Sequence, residues 1–270
     1  MNITTIQEGY VNVKDLKTAS DKEGVVFYNN NDEAMLLTRY RNNKDCDAIF
    51  VNNYYKAKGV QYGNVVKGKV KNPMTPSVFG VGYIGVGDYE THDENGKPTH
   101  CYQTWRNMLR RAYDPKYHDQ YPTYIDCETY DGWHNYQVYS RWYEENYYEI
   151  SGCVMCLDKD ILNKGNKIYS PENCVFVPQN INLLFVKSDS IRGELPIGVS
   201  YHKQTGKYAA YLHINNAKNH LGLFNTPEQA FQAYKTAKEA EIQRQADLYM
   251  DYIPEELYEA MISYQVEIDD

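Results

Sequence analysis

The chain lacks any apolar run near the roughly 18–20 residues that a bilayer-spanning helix requires. Its opening, "MNITTIQEGYVNVKDL", also lacks a basic flank leading into an apolar stretch, so neither a membrane partner nor export is expected. Cysteines are scattered at 46, 101, 127, 153, 156 and 174, and without an export signal they read as reduced thiols, not as a disulfide framework. Histidine is missing between His134 and His202, which deprives the middle of the chain of the side chain that most often serves as a general base. Residues 48–87 contain no carboxylate, only Lys56, Lys58, Lys67, Lys69 and Lys71 as charged groups.

What is there describes a folded chain. The 270 residues suffice for two or three small domains, and 42% hydrophobic with 24% charged residues sits near the globular average. The 28 tyrosines offer stacking surfaces, although tyrosine also accumulates where codons are A/T-rich. The net charge of -8 is local: residues 226–270 hold three basic and eleven acidic side chains, and the remainder balances. Within that remainder, residues 191–225 carry Arg192, Lys203, Lys207 and Lys218 against Glu194 alone. Local positive fields are what phosphate contact requires, because each neutralised phosphate releases condensed counterions.

Residues 1–90 read as short strands and turns, ending in the glycine-spaced "SVFGVGYIGVGDY". That segment is expected to be a structural turn, since no Lys-Ser/Thr pair follows the glycines. "HCYQTWRNMLRRAYD" predicts a helix with Tyr102, Trp105, Met108 or Leu109, and Ala112 on one face; Arg106 and Arg110 share another, for phosphate contact or for solvent. "DGWHNYQVYSRWYEENYY" repeats the helical spacing with Trp133, Tyr136, Ser140 and Tyr143 or Trp142, a stripe suited to core packing. Next come "CVMCLDKDIL", the polar "NKGNKIYSPEN" and "CVFVP", a hairpin with a long loop, and then "QNINLLF", a short helix.

Near the C-terminus, "IGVSYHK", "KYAAYLHI" and "NHLGLF" are strands joined by turns at Gln204-Thr205-Gly206 and Asn215-Asn216. A helix follows, with Thr226 as cap, Pro227 at its first position and Gln229 completing a capping box; Ala230, Phe231, Tyr234 and Ala237 face the sheet. The other sheet face is left free to present Lys203, Lys207, His213, Lys218 and neighbouring tyrosines such as Tyr208 to a partner or to solvent. Gly198-Val199, Tyr208-Ala209, Leu221 to Phe224 and Thr226 to Ala230 together resemble the DNA-binding domain of the APETALA or ethylene-response-factor class, which phage endonucleases carry as an appendage. The resemblance covers about 45 residues and implies a sheet in the major groove, with lysines, histidines and asparagines replacing the family's arginines.

The preceding strand, loop, strand and helix resemble the HNH, or ββα-metal, unit of phage homing endonucleases, on "LDKDILNKGNKIYSPENCVFVPQNINLL". The resemblance implies Asp158 or Asp160 together with Asn182 as ligands of magnesium or manganese, and Asn173 as the residue that holds the loop. Lys159 stands where that family has its general base. Its ordinary pKa of about 10.4, raised further by flanking carboxylates, suits it to phosphate and not to proton abstraction. His134 is an alternative base. As plain structure, Asp158 and Asp160 would be strand-end carboxylates, and Asn166 and Asn173 turn residues. Cys153 and Cys156 form one CxxC without a second pair at ligand spacing, so a structural zinc is not expected.

The expected fold class is therefore α+β: a β-rich region over 1–90, an HNH-like ββα region over 91–190, and a sheet-plus-helix DNA-binding domain with an acidic tail over 191–270. The expected function is phage-type, metal-dependent nicking or cutting of duplex DNA in the bacterial cytoplasm. The alternative is a catalytically silent factor on the same scaffold, which binds DNA or engages a host protein through the acidic residues 247–270.

Overall fold

The computed structural model describes residue 14 and residues 16–186, 195–214 and 217–268. Arg192, Glu194 and the Asn215-Asn216 turn lie outside the described residues. The fold is α+β and divides into two compact units, one comprising residues 1–89 with 135–137, the other 90–134 with 138–270. Apart from residues 135–137, the expected middle and C-terminal regions thus fall within one unit.

The first unit is a four-stranded antiparallel meander, β1 (Val26–Tyr28), β2 (Ala34–Asn42), β3 (Asp45–Phe50) and β4 (Lys56–Val60), with short helices α1 (Ala19–Lys22) and α2 (Tyr62–Val66). Alternation along the strands sends Met35 and Leu37 of β2, and Cys46, Ala48 and Phe50 of β3, to one face, where Ala57, Val65 and Val70 close the core. A polar hub fixes the chain after α2. Glu33 Oε1 accepts from Thr75 Oγ1 at 2.6 Å and Asn72 Nδ2 at 2.8 Å, while Glu33 Oε2 accepts from Asn29 Nδ2 at 2.7 Å. Burial opposes the charge of Glu33, yet these bonds outweigh it and hold the carboxyl below its ordinary range. The glycine-spaced segment forms a turn, with an isolated bridge between Val78 and Gly82 and no regular strand.

In the second unit, α3 (His100–Tyr113) is capped by Thr99 Oγ1, which accepts from Tyr102 N at 3.2 Å. It buries Trp105, Met108, Leu109 and Ala112, and the Trp105 indole donates to the Trp133 carbonyl at 2.6 Å. Asp114 ends α3 and caps α4 (Pro115–Gln120). Along α5 (Tyr136–Asn146), Tyr139, Trp142 and Tyr143 join Trp133, Tyr147 and Phe176 in an aromatic cluster; the stripe is packing.

The numbering continues with β5 (Glu128–Thr129), β6 (Met155–Asp158), β7 (Ile168–Tyr169), β8 (Val175–Pro178) and α6 (Gln179–Phe185). Antiparallel pairing of β6 with β8, followed by α6, makes a ββα unit, and the long loop between its strands is pinned by parallel pairing of β7 with β5. The C-terminal part comprises β9 (Val199–His202), β10 (Lys207–Ile214), β11 (Ala217–Phe224), α7 (Pro227–Tyr249) and α8 (Glu255–Ile262), with antiparallel sheet order β11-β10-β9. Thr226 Oγ1 accepts from Gln229 N at 3.3 Å, while the Gln229 side chain accepts from Asn225 N, one residue before the expected box position. The first half of α7 buries Ala230, Phe231 and Tyr234 against the sheet. Its second half puts Ile242 and Ala246 against the ββα residues Ile161, Val175, Val177 and Ile181.

Gly198 illustrates why the sheet and α7 demand this sequence. Its φ is +75°, and a Cβ there would stand 2.1 Å from the Tyr234 ring. The acidic C-terminal segment is packed down: the four-residue spacing of Leu257 and Met261 gives α8 an apolar face buried with α7 and the ββα unit, and Val266 beyond it is buried in the sheet–α7 core.

Candidate functional site

Two places in the second unit gather the residues singled out by sequence. At the ββα unit, β6 places Cys156 and Asp158 two residues apart and hence on one side of the strand. Asn182, one turn into α6, hydrogen-bonds the Cys156 thiol, so the amide and the carboxylate face the same space. Asp158 Oδ1 accepts from the backbone of Asp160 at 2.9 Å and Ile161 at 2.8 Å, which turns the chain sharply after β6. Burial, and then the neighbouring Asp160 carboxylate, push the Asp158 carboxyl up to about 6.

Lys159 is buried, its Nζ 3.2 Å from Asp160 Oδ2 and 2.9 Å from the Asn166 carbonyl. Asn166 Nδ2 in turn donates to the Lys159 and Ile168 carbonyls at 2.7 and 2.8 Å. Asn173 accepts from Asn163 Nδ2 at 2.8 Å and donates to Ser170 Oγ at 2.9 Å, tying the two ends of the loop together. His134 Nε2 lies 3.1 Å from the Tyr113 hydroxyl, which also meets Thr129 Oγ1 at 3.0 Å; the imidazole is thus engaged by a phenol and not by Asp158 or Asp160.

The donor chemistry fits a hard divalent cation in part. Asp158, Asp160 and Asn182 are oxygen donors of the kind magnesium and manganese take. The Asp158 pKa is raised mainly by burial and then by Asp160, and among the described residues the Lys159 ammonium pairs with Asp160. Among the described residues no three His, Cys, Asp or Glu side chains converge at metal-ligand spacing, so water and substrate oxygens would complete such a shell. For the CxxC, Cys153 Sγ meets the Tyr249 hydroxyl at 3.8 Å while Cys156 meets Asn182.

One residue here escaped the sequence reading. Arg106 and Arg110 are exposed, and Arg110 pairs with Asp114 at 3.5 Å and lies over the Tyr117 ring. Arg111, their neighbour, turns inward. Burial opposes its charge, but hydroxyls of Tyr169 and Tyr124 surround it, Tyr169 hydrogen-bonds it, and its pKa stays above the ordinary range. Its charge also bears on the Cys156 thiol of β6, favouring the thiolate. Helical spacing gave only a partial signal, since Arg111 follows the buried Met108 by three; the partners that enclose it are distant in sequence.

The second place is the sheet face away from α7. Cross-strand pairing sets its membership: Lys207 opposite His202, Ala209 opposite Ser200 and Leu223, Tyr211 opposite His220, and His213 opposite Lys218. Lys218 Nζ lies 3.7 Å from the centre of the Tyr211 ring, and Lys203 projects from the β9–β10 turn. Tyr208 requires correction. It alternates with Lys207 and joins Ala210, Leu212 and Ile214 on the α7 side, packed on the core and edge-to-face with Tyr201. Tyr211 and His220 take the outward places instead.

Compared with known protein families, with curated proteins and with solved structures, the chain matches none of them. No helix among the described residues is long and apolar enough to cross a membrane.

Proposed function

We propose that the chain grips duplex DNA with the outward face of the C-terminal sheet and presents its ββα site to a phosphodiester, which it nicks or cuts with magnesium or manganese. The observation that carries this reading is the coexistence, on the two halves of α7, of an exposed cationic sheet face and a ββα site of paired carboxylates. Asp158, Asp160 and Asn182 would hold the divalent ion, which when bound supplies Lewis acidity toward a phosphoryl oxygen. Arg111 and Lys159 provide positive charge for the phosphate, and Asn163, Asn166 and Asn173 keep the loop from spreading. The family resemblance on "LDKDIL", "SPENC" and "QNIN" supports the same reading.

A second reading is favoured by Lys159 itself. Its ammonium is engaged by Asp160 and the Asn166 carbonyl, and His134 is engaged by Tyr113, so neither stands ready as a base. The chain would then be a catalytically silent DNA-binding factor, or one that meets a host protein through Glu255, Glu256 and Glu259 on α8.

Incubation with supercoiled plasmid and magnesium or manganese separates the two. Nicking that disappears in Asp158→Ala/Asp160→Ala supports the nuclease. Salt-sensitive duplex binding without nicking supports the silent factor, and absence of any duplex binding overturns the DNA reading altogether.

A further inference from the structure

The lysine-rich, carboxylate-free stretch of the first unit is not used by either site above. It folds into the walls of an open cleft of about 370 Å³, formed by β4, α2 and the chain that returns past them. Lys58 projects from β4, Gln61 and Asn64 from the turn and helix that follow, and Lys69 and Lys71 from the returning strand-like segment, with Tyr55 at one end. No carboxylate among the described residues lines it.

The charges around the cleft are arranged unequally. Arg41, on β2 of the same sheet, is neutralised by Asp47 at 2.6 Å and Asp45 at 2.8 Å, and Asp47 also accepts from Gly59 N. Lys58, Lys69 and Lys71 are exposed and pair with no carboxylate among the described residues. Their backbone is held in place. Asn30 N donates to the Gly68 carbonyl at 2.8 Å, and the positive φ of Gly68 sits where a Cβ would meet Asn30 and the Tyr28 carbonyl. Lys69 N bonds the Asn64 carbonyl at 2.8 Å, and Asn29 Nδ2 reaches the Val70 carbonyl. The lysines on either side of Val70 are thus mounted on fixed backbone, a rim of uncompensated positive charge with amide donors between.

We infer that this cleft is a second nucleic-acid contact, taking the phosphodiester backbone of duplex DNA or of a separated strand between Lys58 and the Lys69/Lys71 rim. The nature of the anion rests on the DNA reading proposed above; the cleft and its charge do not. Repeated phosphates on a continuous backbone match a row of lysines with little shape selectivity, and Gln61 and Asn64 add neutral donors to phosphate oxygens. Tyr55, at the end of the cleft and stacked on Phe50, offers an aromatic edge to a base of an unpaired strand.

The test uses the full chain with labelled duplex and single-stranded oligonucleotides, measured over a series of salt concentrations. Lys58→Gln/Lys69→Gln/Lys71→Gln is expected to weaken binding at least about tenfold and to reduce the slope of log affinity against log salt by about 2–3. Lys58→Arg/Lys69→Arg/Lys71→Arg should restore both. Whichever oligonucleotide loses more affinity identifies the strand state the cleft takes. Acetylation footprinting reads the same contact without a variant: Lys58, Lys69 and Lys71 should be protected by the oligonucleotide, and Lys44 should not. Unchanged affinity and slope in the glutamine variant, with unprotected lysines, overturns the cleft while wild-type binding leaves the DNA reading standing. A wild-type chain that binds neither oligonucleotide overturns both.

Discussion

The outward sheet face and the ββα site both carry cations, and they hold them in opposite ways. Lys207 and Lys218 stand in solvent on paired strands, where their charges pair with no carboxylate among the described residues. Lys159 and Arg111 are enclosed, and each is bonded to loop carbonyl, carboxylate or phenol. Exposed charges are screened and act collectively through counterion release, so each is individually replaceable. Enclosed charges act over short distances in a poorly screened space, so each alters its neighbours' protonation. The comparison predicts that the sheet face sets affinity, and the ββα site sets pH dependence.

The largest effect should follow Gly198→Ala. Strain at positive φ and the clash with Tyr234 should destabilise the sheet's seat on α7 by about 2–4 kcal/mol, read by urea denaturation, and duplex binding should fall with it. Full binding in this variant would break the assignment of the sheet as anchor.

Next comes Asp158→Asn. A carboxyl whose pKa is raised to about 6 in the fold favours the native state while protonated, and that contribution is lost as pH rises from about 4 through 6. The wild type should therefore lose on the order of 1–3 kcal/mol across that window from this group alone, and the asparagine variant should not. Urea midpoints at both ends of the window check it. A parallel pH profile in the two proteins would show that the site is solvated like the sheet face.

Lys207→Gln/Lys218→Gln should weaken duplex binding about tenfold and lower the salt slope by about 2, with the thermal midpoint nearly unchanged. A large loss of stability would mean that these lysines are structural. The smallest effect belongs to Arg110→Gln. Its exposed pairing with Asp114 should be worth less than about 0.5 kcal/mol, and a binding loss exceeding that of the sheet lysines would move the DNA contact onto α3.

Much of this arrangement was legible in the chain because it repeats with the period of its own element. Trp105, Met108, Leu109 and Ala112 mark the buried side of α3 at helical spacing, and Thr226-Pro227 announces α7. The ββα order follows from two apolar runs around a polar loop. What stayed hidden depends on parity and on distant partners. Tyr208 was placed with the lysines, yet its period-two companions Ala210 and Leu212 assign it to the core side. Arg111 was passed over because inward rotation of α3 is decided by Tyr169 and Tyr124, more than ten residues away in sequence. The acidic count over 226–270 concealed Leu257 and Met261, whose four-residue spacing folds that segment down.

The shared helix α7 has a mechanical consequence. About twelve residues separate the part seated under the sheet from the part seated under the ββα unit, a rigid offset of roughly 18 Å. Because one continuous rod belongs to both cores, the two faces cannot slide or pivot independently without melting it. On the proposed function the protein would work as a caliper, with a fixed span between where DNA is held and where it is cut. The position of a nick would then report the length of a helix and not a sequence of bases.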